Sequence, residues 1–145
     1  MKIYLASPLF TPVERRFNCL LCSELEKLAT VYLPQRDGSL VAEAVERGTA
    51  AAEAARTAFC SDIEAIRNCD IIVAVLDGRV PDEGVCVEIG YAKALNKTVI
   101  GLKTDKRVLL PWGNNPMIDG CTDIWVSTVA EARAALEALD KGRAG

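Results

Sequence analysis

The sequence predicts an α/β protein. It reads as one doubly wound, flavodoxin-like (Rossmann-like) domain over residues 1–145, with a five-stranded parallel sheet between helices. Two observations predict this. Short apolar runs alternate along the chain with longer segments of helical periodicity, and that alternation returns each strand parallel to the one before. The run Ile71-Ile-Val-Ala-Val-Leu76 is apolar throughout, as a strand covered on both faces must be.

Lys2 to Ala6 reads as a strand, ended by Ser7-Pro8. Thr11-Pro12 starts a helix over Val13 to Ala29, with Phe17, Leu20, Leu21, Leu25 and Leu28 at helical spacing. Thr30 to Leu33 is a short strand closed by Pro34, and Gln35 to Gly48 reads as loop. Thr49 to Arg67 is alanine-rich and helical, and Asp70 to Leu76 is the central strand. Gly84 to Leu95 is a helix that Asn96-Lys97 ends, followed by a strand over Thr98 to Leu102. Lys103 to Thr122 is a long loop with Pro111, Gly113, Pro116 and Gly120. Asp123 to Val126 is a short strand, and Val129 to Leu139 a closing amphipathic helix. Doubly wound sheets bind ligands at the carboxyl ends of their strands. The loops Ser7 to Phe10, Asp77 to Gly84 and Lys103 onward are expected to meet there.

Composition removes several function classes. The net charge of −3 and the lack of a basic tract argue against a nucleic acid polymer or an anionic membrane as partner. No apolar run reaches the length of a membrane span. Pro8, Glu14, Arg15 and Arg16 break up any signal-peptide pattern, so the expected location is cytoplasmic. There is no histidine, which excludes a His triad, a His-ligated metal and a His general base. The six cysteines are expected to be small buried hydrophobes of a reduced protein. Cys19 and Cys22 lie inside a helical pattern without a second pair, so no metal and no cofactor are predicted. The first strand is followed by neither a P-loop nor a dinucleotide fingerprint.

The most informative stretch is Asp82-Glu-Gly84-Val-Cys-Val-Glu88-Ile-Gly-Tyr-Ala92. It reads as a helix apolar on nearly every face, hence buried, with one carboxylate in its middle. A buried carboxylate is costly unless paired, hydrogen-bonded or protonated. Glu88 is therefore either a nucleophile near the helix's positive end or a structural acid held by backbone or arginine. Asp82 is either the helix N-cap or a general acid beside Glu88. Gly84 suits a tight turn where backbone approaches a ligand. Asp62 lies on a solvated helix face or beside the substrate. Tyr4 points into the core or up toward the site. Phe10 is a local core residue or a stacking platform for a base. Asn115-Pro-Met117 is an ordinary turn or a substrate loop with an amide for an oxygen and a thioether for a ring. Trp112 is core or lid.

Taken together, Tyr4-Leu-Ala-Ser-Pro-Leu-Phe10, Gln35, Asp62 eight residues before Asp70, Asp82-x-Gly84-x-x-x-Glu88-Ile-Gly-Tyr-Ala and Asn115-Pro-Met117 resemble the nucleoside 2-deoxyribosyltransferase family. The resemblance runs from the first strand to Met117. It implies transfer of a 2-deoxyribosyl group between nucleobases, with 2'-deoxynucleosides and free nucleobases as partners. It makes Glu88 the nucleophile, Asp82 the group that helps protonate the leaving base, and Tyr4 the residue that positions Glu88. Asp62, Gln35, Phe10 and Gly84 are then substrate-binding. Asn115 and Met117 are implied to complete a neighbour's site in a homo-oligomer. Retention through two displacements at a carboxylate needs neither metal nor histidine.

Two features depart from the family pattern: Ser7-Pro8 stands where many relatives carry glycine, and the tail Lys141 to Gly145 is short and polar. Two alternatives use the same residues differently. One is an N-hydrolase of 2'-deoxynucleoside 5'-monophosphates, with Ser7, Thr11, Arg15 and Arg16 near its phosphate. The other is a non-catalytic nucleoside sensor.

Overall fold

The computed structural model describes residues 1–143, so Ala144 and Gly145 of the polar tail lie outside it. Five strands form one parallel sheet: β1 (Lys2–Ala6), β2 (Thr30–Tyr32), β3 (Ile71–Val75), β4 (Thr98–Leu102) and β5 (Ile124–Val126). Their order is β2-β1-β3-β4-β5, the doubly wound arrangement the sequence predicts. Seven helices intervene among the described residues: α1 (Pro12–Leu25), α2 (Pro34–Asp37), α3 (Val41–Glu46), α4 (Ala51–Asn68), α5 (Glu83–Ala94), α6 (Pro116–Cys121) and α7 (Val129–Arg143).

Alternation along each strand sends neighbouring side chains to opposite faces. Ile3, Leu5, Ile71, Val73, Val75, Ile100 and Leu102 pack against Leu21, Cys22 and Leu25 of α1 and Ala132 and Leu136 of α7. Tyr4, Ala6, Ile72, Ala74, Leu76 and Val99 face the other way, against Ile66 of α4 and Val85, Ile89 and Ala92 of α5. This second face builds the site, because it puts Tyr4 beneath α5. The order reverses between β1 and β3, so the crevice opens between their carboxyl ends.

Three expectations are corrected. The first helix stops at Leu25 rather than Ala29: the amides of Leu28 and Ala29 both turn back to the Leu25 carbonyl, which swings Thr30 onto β1. Gln35 to Gly48 is not loop but holds α2 and α3, and the long loop before β5 holds α6. All are too short to show helical periodicity, and Pro34 and Pro116, read as breakers, occupy the first turns of α2 and α6. The cysteines are not uniformly buried, since Cys19 and Cys60 are exposed and Cys86 and Cys121 half-buried.

The outer edge of β2 is closed by its own following turn. Arg36 donates from Nη2 to the Val31 carbonyl at 2.9 Å, and the Leu33 amide donates to Asp37 Oδ2 at 2.8 Å. Arg36 also reaches Glu26 at 2.7 Å, which ties the edge to the end of α1. Among the described residues no helix is long and apolar enough to cross a membrane.

Candidate active site

Helix α5 begins where Asp82 caps it. The Val85 amide donates to Asp82 Oδ1 at 3.0 Å, so the N-cap role is occupied in this structure. Gly84 is not in a tight turn but in the first turn of the helix, where a Cβ would come within 3.0 Å of the capping oxygen. At the other end Asn96 takes a left-handed conformation, φ 56, and stops the helix. The helix is not buried all round as its composition predicts: Val85, Ile89 and Ala92 face the sheet, while Val87 is 63% exposed.

Glu88 stands next to that buried stripe. Tyr4, fully buried in β1, donates from Oη to Glu88 Oε1 at 2.6 Å. Burial pushes the Glu88 carboxyl up to about 8; the Tyr4 bond opposes this, and the negative charges of Asp62 and Asp82 add to it. Burial, reinforced by Glu88 and Asp62, raises the Tyr4 phenol well above its ordinary value, so it stays a proton donor. Asp62, on α4, is half-buried rather than on a solvated face. Burial pushes it up to about 6, and the Tyr32 hydroxyl draws it back toward the ionised form. Three carboxylates thus share one end of the sheet, and two of them hold protons more tightly than a free acid. Such groups can serve as nucleophile and as proton donor or acceptor at neutral pH.

The structure brings none of the remaining predicted residues into hydrogen-bond contact with these carboxylates among the described residues. Gln35, in α2, is engaged by the protein: its Oε1 accepts from Asn18 Nδ2 at 2.9 Å, and its Nε2 donates to the Arg15 carbonyl at 3.0 Å. Phe10 is 72% exposed on the loop after β1, so it is no local core residue. Asn115 caps α6 through the Met117 amide at 2.9 Å, and Met117 is 74% exposed. Trp112 is 78% exposed.

Sequence reasoning missed the residues that tie the loops together. Asp77 accepts from the amides of Thr104 and Asp105 and from the Thr104 hydroxyl. Lys103 donates to the carbonyls of Leu76 and Gly78 at 3.3 and 2.9 Å. Gly78 takes φ 88, which carries the chain round toward Asp82. Each lies at the end of a strand run, the one signal that marks them.

Two cavities stand out among the described residues. The larger, about 870 Å³, runs along β2 past Tyr32, Ser61, Glu64 and Asn68. The smaller, about 210 Å³, lies between Val80, Cys86, Asn115 and Met117. None of Asp62, Asp82 and Glu88 lines either cavity. Among the described residues no group of His, Cys, Asp and Glu is placed to hold a metal ion.

Comparison with known proteins agrees with this fold. A search of curated proteins returns no match. A solved 2-deoxyribosyltransferase from Bacillus psychrosaccharolyticus is 26% identical with a TM-score of 0.77, covering 94% of this chain and 96% of its own. A conserved protein from Enterococcus faecalis is 25% identical with a TM-score of 0.78, covering 95% and 98%. A CMP N-glycosidase from Clostridium botulinum, 21% identical with a TM-score of 0.57 and 94% and 99% covered, shares the fold. The model of the family described as nucleoside 2-deoxyribosyltransferase matches residues 3–139. The chain belongs to that family.

Proposed function

We propose that this protein transfers the 2-deoxyribosyl group between nucleobases through a covalent deoxyribosyl-Glu88 intermediate. The observation that carries the reading is the buried Glu88 carboxyl held by the Tyr4 phenol at 2.6 Å. A Glu88 oxygen attacks the anomeric carbon as the N-glycosidic bond breaks, and the bonding pair leaves with the base. The base nitrogen takes a proton from Asp82 or from Asp62, the acid kept near 6. An incoming base then attacks the same carbon, Glu88 leaves as a free carboxylate with the bonding pair, and the proton on the attacking nitrogen returns to the aspartate that gave one up. Two displacements retain configuration. Phe10, Gln35 and Gly84 line the base side. Asn115 and Met117, both exposed, complete a neighbour's site in a homo-oligomer working in the cytoplasm.

The test is intact-mass analysis after incubation with 2'-deoxyinosine and no acceptor. A deoxyribosyl adduct mapped to Glu88, discharged by adenine as 2'-deoxyadenosine, is the expected result. Turnover without any adduct, or cleavage confined to 5'-monophosphates, overturns it.

Asp82 has two duties in this scheme, and substitution separates them. Asp82→Asn keeps a cap and is expected to melt close to the parent, whereas Asp82→Ala loses about 1 kcal/mol in a denaturant titration. Both lose activity, by roughly 100-fold or more, when a base needing protonation is the leaving group. Full activity in Asp82→Asn rules out the proton-donor role.

A further inference from the structure

The side chain that joins the two perturbed carboxylates is Tyr32. The parallel register sets Tyr32 directly beside Tyr4, one strand over on the same face. Their rings stack with centroids 5.6 Å apart and 13° between planes. Tyr4 in turn donates to Glu88. At its other end the Tyr32 hydroxyl meets Ser61 Oγ at 2.8 Å. Asp62 is the next residue on α4, and the same hydroxyl interacts with its carboxyl. Gly38 leaves the space this needs, since a Cβ there would come within 3.1 Å of the Tyr32 hydroxyl and 2.6 Å of the Pro34 carbonyl oxygen.

We propose that Tyr32 is a second positioning tyrosine of this site, its ring fixing Tyr4 against Glu88 and its hydroxyl, bonded to Ser61, acting on the neighbouring Asp62. The inference deepens the transferase reading and rests on it for the roles of Glu88 and Asp62. Its physical basis is independent of that reading. A phenol that must reach a carboxylate at 2.6 Å cannot swing, and the stacked neighbour removes the swing. The hydroxyl favours the charged form of Asp62 against burial. The titratable groups that bear on Tyr32 are Tyr4 from β1, Asp62 from α4 and Asp37 from the end of α2, with Glu88 of α5 beyond Tyr4, and Arg36, Glu26 and Glu64 line the same cavity as its ring.

Two variants divide the ring from the hydroxyl. Tyr32→Phe keeps the stack and removes the hydroxyl; Tyr32→Leu removes both. Carboxyl-carbon NMR titration of the free protein reads the carboxylates without any turnover. Tyr32→Phe is expected to raise the Asp62 midpoint by about half a unit or more and leave Glu88 in place. Tyr32→Leu is expected to raise both. In deoxyribosyl transfer, Tyr32→Leu lowers kcat by roughly 10-fold to 100-fold with KM little changed, and Tyr32→Phe recovers most of that loss while shifting the pH profile. An unmoved Asp62 midpoint in Tyr32→Phe overturns the proposal, even if the parent transfers deoxyribose. Moved midpoints in a protein that turns over no deoxynucleoside uphold the positioning and sink the transferase reading. If Tyr32→Leu does not fold, the Tyr32→Phe titration decides by itself.

Discussion

Glu88→Gln is expected to abolish turnover and, at pH 8 and above, to raise the melting temperature. The loss of turnover follows from the proposed nucleophile: an amide oxygen cannot accept the anomeric carbon and leave again, and roughly 1,000-fold or more of the rate goes with it. The gain in stability follows from the site's electrostatics. Burial lifts the Glu88 carboxyl from its ordinary 4.5 to about 8. Between those values the folded state holds a proton that the unfolded chain releases, so stability falls as pH rises across that window. Above it the native protein carries an ionised carboxylate in a place that disfavours charge. Glutamine removes that penalty, on the order of a few kcal/mol, while its oxygen still accepts from Tyr4. The two melting curves should coincide near pH 4 and separate toward pH 8. A glutamine variant that melts lower throughout would make Glu88 a structural anchor.

Tyr4→Phe should move the rate along the pH axis. The phenol supports the ionised form of Glu88, so removing it sends the Glu88 carboxyl higher still. The ascending limb of kcat/KM is expected to shift up by about one unit, and activity at pH 7 to fall roughly 10-fold to 100-fold. Stability shows the same dependence. Where Glu88 is ionised, its oxygen loses a donor and the variant should lose about 1–3 kcal/mol; where it is protonated, less. An unshifted pH profile, with only a lower plateau, would mean that Tyr4 shapes the cavity and does not tune the nucleophile.

Much of this was legible in the residues. The apolar run at Ile71 could only be a central strand, and the alternation of elements left one sheet class. Glu88 stood out because an acid in an apolar helix is expensive. Its partner was named only through the family resemblance, because on its own a tyrosine at position 4 fits a core as well as a site. The register of β1 under α5 decides between them, and register is a tertiary fact. That Asp62 is half-buried, one of its two readings, was hidden for a related reason. Its helix is mostly exposed, with Ala54 and Ile66 buried, and the burial of one carboxyl depends on the strands beneath it. The short helices escaped notice because four to six residues carry no period.

The Arg36 and Asp37 clasp on β2 has a consequence for how copies of this chain can meet. Adding a strand from another molecule at that edge needs a free carbonyl and a free amide, and Val31 and Leu33 have already given theirs to side chains. A continuous sheet running from one subunit into the next is therefore barred on the β2 side. Subunits that associate there must do so through side-chain surfaces, which leaves each sheet, and the tyrosine pair on it, mechanically its own.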